Sequence, residues 1–251
     1  MSRAKKATAL FAALALLAGI PTASAELAQR QGVRIKVSAA IAPTRLPRKG
    51  TVPVAVSVGG QISTTDRSLP QLKAMKIQIN SNGVIDLKGI PRCRIGHIDP
   101  STTEEALALC GDSLIGEGSF SADVLLPEQS PFPSHGKLLA FNGTIGRRPA
   151  IFAHVYGTQP LATSYVFAFR LRHRRQGPFG TTLEASFPRA TGDWGYITGI
   201  DLKLNKRFIR AGCPAPRSFE KVAFPLVRTT FAFAGGLQIP TTLTRTCEPR
   251  G

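Results

Sequence analysis

Val33-Arg34-Ile35-Lys36-Val37-Ser38 alternates apolar and polar residues without a break. A pleated strand sends successive side chains to opposite faces, so Val33, Ile35 and Val37 take one buried face. Arg34, Lys36 and Ser38 take the wet one. The rhythm returns at Val52, Val54, Val56 and Val58, at Ile77 and Ile79, and at Leu202 and Leu204. Turn formers separate these runs: Pro47 to Gly50, Gly59-Gly60, Asn82-Gly83, Asn142-Gly143 and Gly235-Gly236. Short alternating strands punctuated in this way predict an all-β fold, a mainly antiparallel sandwich or barrel-like sheet.

One helix is expected within this pattern. Ser101-Thr-Thr-Glu104 has the spacing of a capping box and precedes good helix formers, so a short helix is predicted near residues 102–110. Ser101 is its expected N-cap, and Gly111 is expected to end it in a left-handed turn. The segment Pro127 to Gly136 holds three prolines, which do not fit a central strand and predict a long loop or linker. One sandwich domain over residues 26–251 is the first expectation. Two β domains split at 127–136 are the alternative.

The start of the chain reads as a leader. Arg3, Lys5 and Lys6 precede an apolar run from Ala7 to Ile20, and Ala23-Ser24-Ala25 has the small-x-small pattern of a cleavage site. Residues 1–25 are therefore expected to be a signal peptide, and the mature chain to be secreted or extracytoplasmic. The apolar run is shorter than the roughly 20 residues of a membrane span, and no later segment approaches one. All four cysteines, Cys93, Cys110, Cys213 and Cys247, follow the cleavage point. Their spacing contains no close Cys pair of the kind zinc sites use, so two disulfides are expected, with neighbours in sequence as the preferred partners. The chain carries 32 basic and 15 acidic residues, and losing Arg3, Lys5 and Lys6 with the leader leaves a net charge of +14. A field of that sign attracts polyanions.

Catalytic motifs do not assemble. Gly111-Asp112-Ser113-Leu114 spells the letters of the GDSL esterase and lipase family, which would make Ser113 a nucleophile. That family places its serine after a strand and supplies a base from a downstream Asp-x-x-His. Here the motif follows a helix, and neither His135, His154 nor His173 has an aspartate three positions earlier. A serine hydroxyl without a positioned base is a weak nucleophile. His97, His135, His154 and His173 are dispersed and show no metal-ligand spacing, and Gly116-Glu-Gly118 lacks the rest of a phosphate loop. No cofactor or metal is expected.

The sharpest surface feature lies in Tyr165 to Arg175. Tyr165, Phe167, Phe169 and Leu171 share one face, and the opposite face becomes Arg170, Arg172 and Arg174, with Arg175 beyond. Guanidinium groups held along a strand suit phosphate or carboxylate arrays. Trp194 and Tyr196, set between glycines, make a second candidate as a platform for stacking on sugar rings.

Several segments together resemble a group of exported, β-rich proteins of high-GC soil actinobacteria. They are Leu46 to Gly60, Ala106 to Gly118, Trp194 to Ile200, Cys213 to Pro216, Phe224 to Leu226 and Thr242 to Cys247. The resemblance implies export and disulfides and brings no catalytic residues with it. The expected function is non-enzymatic binding to anionic envelope polymers or lipid headgroups, with no nucleic acid as natural partner. The alternatives are a secreted hydrolase using Ser113 and a carbohydrate-binding module using Trp194 and Tyr196.

Overall fold

The computed structural model describes residues 25–66, 69–125, 130–159, 162–174, 176–187, 195–205 and 208–250. The described chain is all-β apart from one α-helix and short 3₁₀ turns. Its strands are β1 (Ala25–Arg30), β2 (Val33–Ala42), β3 (Arg45–Pro47), β4 (Val52–Pro53), β5 (Ala55–Thr64), β6 (Leu72–Asn80) and β7 (Gly83–Ile85). Helix α1 (Thr103–Cys110) follows, then β8 (Leu114–Val124), β9 (Phe132–Ile145), β10 (Arg148–Gly157), β11 (Thr163–His173) and β12 (Phe179–Ser186). The last strands are β13 (Gly195–Leu204), β14 (Ile209–Ala211), β15 (Val222–Phe233) and β16 (Gln238–Arg250).

Thirteen strands form one sheet in the order β1-β2-β5-β13-β8-β9-β10-β11-β12-β6-β15-β16-β3. Every pairing is antiparallel except β16 with β3. Only part of the expected loop at 127–136 is loop: residues 127–129 lie outside the described residues, and Phe132–Gly136 is already strand, the first part of β9, hydrogen-bonded to β8 from Val124 opposite Phe132 to Phe120 opposite Gly136. The sheet curls until β1 lies beside β16, and side chains bridge that seam. The Glu26 carboxylate accepts from the Thr244 amide at 2.6 Å, and Arg30 donates to the Gln238 carbonyl at 3.2 Å. Arg245 donates to the Ala39 carbonyl at 2.9 Å and lies 3.6 Å from the Glu26 carboxylate.

The alternation read from the sequence decides which face turns inward. Val33 and Ile35 are buried while Arg34 and Lys36 are exposed. Leu138, Val155, Phe167, Leu171, Leu183 and Phe231 join them inside the curl. Burying apolar area at roughly 25 cal/mol per Å² is what holds the curled sheet against the cost of ordering it. One end of the curl is plugged. There β4, β14 and β7 form a small separate sheet, and Phe208, Ile85 and Ile90 pack on Ile115, Leu171 and Leu183. The disulfide Cys213–Cys247 ties this end to β16, and Cys93–Cys110 ties the last residue of α1 to the segment before it. Both pairings are those expected from sequence.

Helix α1 sits outside the curl, where Ala106, Cys110 and Ile98 cover Leu139, Phe141, Ala150 and Phe152. Its capping differs from the sequence reading by one residue. Thr102 is the N-cap: its hydroxyl accepts from the Glu105 amide at 3.2 Å, and the Glu105 carboxylate takes the Thr102 amide at 2.8 Å. Ser101 is drawn off by the core, as described below. Gly111 closes the helix in a right-handed conformation (φ −54°) and leads into a 3₁₀ turn.

Two expected turns are instead strand interior. Gly59-Gly60 lies inside β5 and Asn142-Gly143 inside β9, while the β9–β10 reversal occurs at Gly146, whose φ is +61°. Asn142 is buried and donates to the carbonyls of Ile90 and Pro91 at 2.8 and 3.0 Å, so its polarity serves an internal contact. Gly143 has no room for a side chain, because a Cβ would stand 2.2 Å from the Phe152 ring. Glycine in a strand here marks close approach, not reversal.

Candidate functional site

The outward face of the sheet carries the charge. On β11, Arg170 and Arg172 are exposed, as the alternation requires. Cross-strand register extends them into rows: Arg170 stands opposite Glu184 of β12, which stands opposite Lys76 of β6. Two residues along, Arg172 faces Thr182, then Gln78, then Arg228 of β15. Outward positions on one strand are about 6.6 Å apart and neighbouring strands about 4.8 Å apart. The patch thus presents Arg170, Arg172, Lys76 and Arg228 on a near-regular grid, with Glu184 as the one acidic side chain in these two rows. Glu184 lies 3.4 Å from Lys76 and 3.8 Å from Arg172, both exposed pairs of small energetic weight. Arg228 stacks 4.8 Å above the Phe179 ring, which orients it without consuming its charge. Arg174 is exposed at the end of β11, and Arg175 lies outside the described residues.

A second polar surface lies on the other half of the sheet. A concavity of about 530 Å³ crosses β1, β2, β5, β13, β8 and β9 on the outward side. One row runs Leu27, Lys36, Gln61, Gly199, Ser121 and His135 in direct register. The next brings Asp201 and Ser119 to the lining. Small residues make its floor: a Cβ on Gly199 would stand 2.6 Å from the Ser121 hydroxyl. Hydroxyls, an amide and the Asp201 carboxylate form the base, and Arg34 and Lys36 supply the positive charge at one side. Such a surface hydrogen-bonds a hydroxyl-rich chain and attracts its acidic groups.

His154 and Ser101 meet in the interior under α1. His154 is completely buried on the outward face of β10, with Nε2 3.2 Å from the Ser101 hydroxyl and 3.0 Å from the Ser101 carbonyl. A carbonyl can only accept, so Nε2 carries the proton and Nδ1 is a bare acceptor. Nδ1 has no partner among the described residues. An Nε2–H imidazole cannot take a proton from the Ser101 hydroxyl, which instead donates to the Ile98 carbonyl at 3.0 Å. Burial holds the imidazole below its ordinary pKa, against smaller upward pushes from the Ser101 carbonyl and the Asp99 charge. This pair is a structural clasp.

Ser113 is buried in the 3₁₀ turn after α1. Among the described residues the imidazole contacts made with side chains are His154 with Ser101 and His173 with Thr181, and neither touches Ser113. The geometry gives that serine no base. Trp194 lies outside the described residues, and Tyr196, half-buried, is the second residue of β13, at the open end of the curl. Lys76, Arg228 and the small-residue floor were not legible as a site, because register between distant strands brings them together. Compared with known proteins, the chain matches no family model, no curated protein and no solved structure.

Proposed function

We propose that this is an exported, non-enzymatic protein that binds an array of phosphate or carboxylate groups, as presented by anionic envelope polymers and by lipid headgroups. The observation that carries the reading is the grid of Arg170, Arg172, Lys76 and Arg228 on an exposed sheet face with Glu184 as its one interspersed acid. A +14 mature charge supplies long-range attraction, and guanidinium forks supply short-range bidentate contacts. The hydroxyl-floored concavity flanked by Arg34 and Lys36 favours a polymer that also carries hydroxyls. Two disulfides fit an oxidising compartment. Among the described residues no helix is long and apolar enough to cross a membrane.

The test compares two sources of the same chemistry. Mature protein is titrated with soluble polyphosphate and polyuronate and, separately, with vesicles containing phosphatidylglycerol. Binding to either that weakens steeply with salt supports the reading, and the stronger arm names the source. Failure to bind all three at low ionic strength overturns it.

A further inference from the structure

At the end opposite the β4–β14–β7 plug, the described residues leave the inward face unfilled. A cavity of about 190 Å³ opens there, and its apolar walls include Leu72 of β6, Phe120 of β8, Val155 of β10, Phe167 of β11 and Ile197 of β13. Phe187 braces the aromatic side, its ring centroid 5.0 Å from that of Phe167 and 6.4 Å from that of Phe169. At the rim Asp123 and Tyr196 stand directly opposite in the β8–β13 ladder, and burial, with the Asp123 carboxylate beside it, holds the Tyr196 hydroxyl protonated above its ordinary pKa. A carboxylate has room for several donors, so Tyr196 leaves it with accepting capacity.

Size and lining limit what fits. An apolar cavity of about 150 Å³ holds one benzene molecule, so this one takes a single ring and little more. Its aromatic walls favour a ring over a flexible chain, which would give up rotamer freedom on entry. The geometry points to a binding site in this open end for a neutral single-ring compound whose hydroxyl donates to Asp123. The mouths of curled sheets are common places for such ligands. The site faces inward, away from the cationic grid, and stands independently of polymer binding.

Methyl resonances of Leu72, Val155 and Ile197 in the folded protein report on it directly. Titration with benzyl alcohol is expected to give saturable shifts confined to these methyls in the millimolar range or below. Ala122 lines the same cavity, and Ala122→Phe fills it and is expected to abolish the shifts. Asp123→Ala is expected to weaken benzyl alcohol by about tenfold while leaving toluene unchanged. Absence of saturable shifts in the parent protein overturns the site. So does undiminished binding in a folded Ala122→Phe variant. If that variant does not fold, the Asp123→Ala pair decides, since equal effects on the two probes overturn the assigned role of the hydroxyl.

Discussion

His154 gives a pH dependence whose sign and slope follow from its surroundings. The ring is completely buried, its Nε2–H is held by the Ser101 carbonyl, and its Nδ1 faces no acceptor among the described residues. Protonation would place a second N–H, and a charge, where nothing receives them. The folded pKa is therefore depressed, with burial the dominant cause, while the unfolded chain titrates near the ordinary value of 6.5. Between the folded value and 6.5 the unfolded state binds one more proton than the folded state. Stability from this group is fully present above pH 6.5 and is lost as the pH falls below it, by at most about 1.4 kcal/mol per pH unit. Below the folded pKa the loss levels off. The assay is urea unfolding at intervals from pH 8 to pH 5 for the parent and for His154→Phe. The other three histidines are common to both proteins, so the difference between the curves isolates His154. That difference should shift in favour of the phenylalanine variant as the pH falls. Parallel curves would refute the buried, neutral assignment.

Three further outcomes follow from packing. Replacing Cys93 and Cys110 by serine should cost about 3 kcal/mol, and replacing Cys213 and Cys247 about 4 kcal/mol, from loop separations of 17 and 34 residues; denaturant midpoints under non-reducing conditions test the order. Gly118→Ala would put a Cβ 1.7 Å from the Asp201 carbonyl oxygen, so it should yield unfolded or aggregated protein by circular dichroism, whereas the exposed Gly96, with open space around it, should accept alanine. Thr102→Ala should cost about 1 kcal/mol as loss of the true N-cap, measured against the parent midpoint.

How much of this was legible in the sequence depended on how local each cause is. Strand faces are set by adjacent residues, so Val33-Arg34-Ile35-Lys36 and Phe167 to Arg172 alternate in the structure as their order requires. The cysteine pairing was accessible because the preferred loops are short. Glycine misled at Gly59-Gly60 and Gly143, because the residue that turns a chain is also the residue that lets another side chain lie against it. The capping box slipped by one because Ser101 and Thr102 are equivalent locally, and only the distant His154 distinguishes them. The cationic grid was half visible. Arg170 and Arg172 are neighbours in sequence, but Lys76 and Arg228 join them through register alone. The mouth cavity draws on six strands, and no short stretch of sequence contains it.

The most direct measurement is the salt dependence of polyphosphate binding by the parent and by the double variant Arg170→Gln, Arg172→Gln. If both guanidinium groups engage phosphates, the slope of log K against log salt should become shallower by about 1.4, at roughly 0.7 per contact for a single-stranded polyanion. An unchanged slope and affinity would place the contact elsewhere and contradict the account.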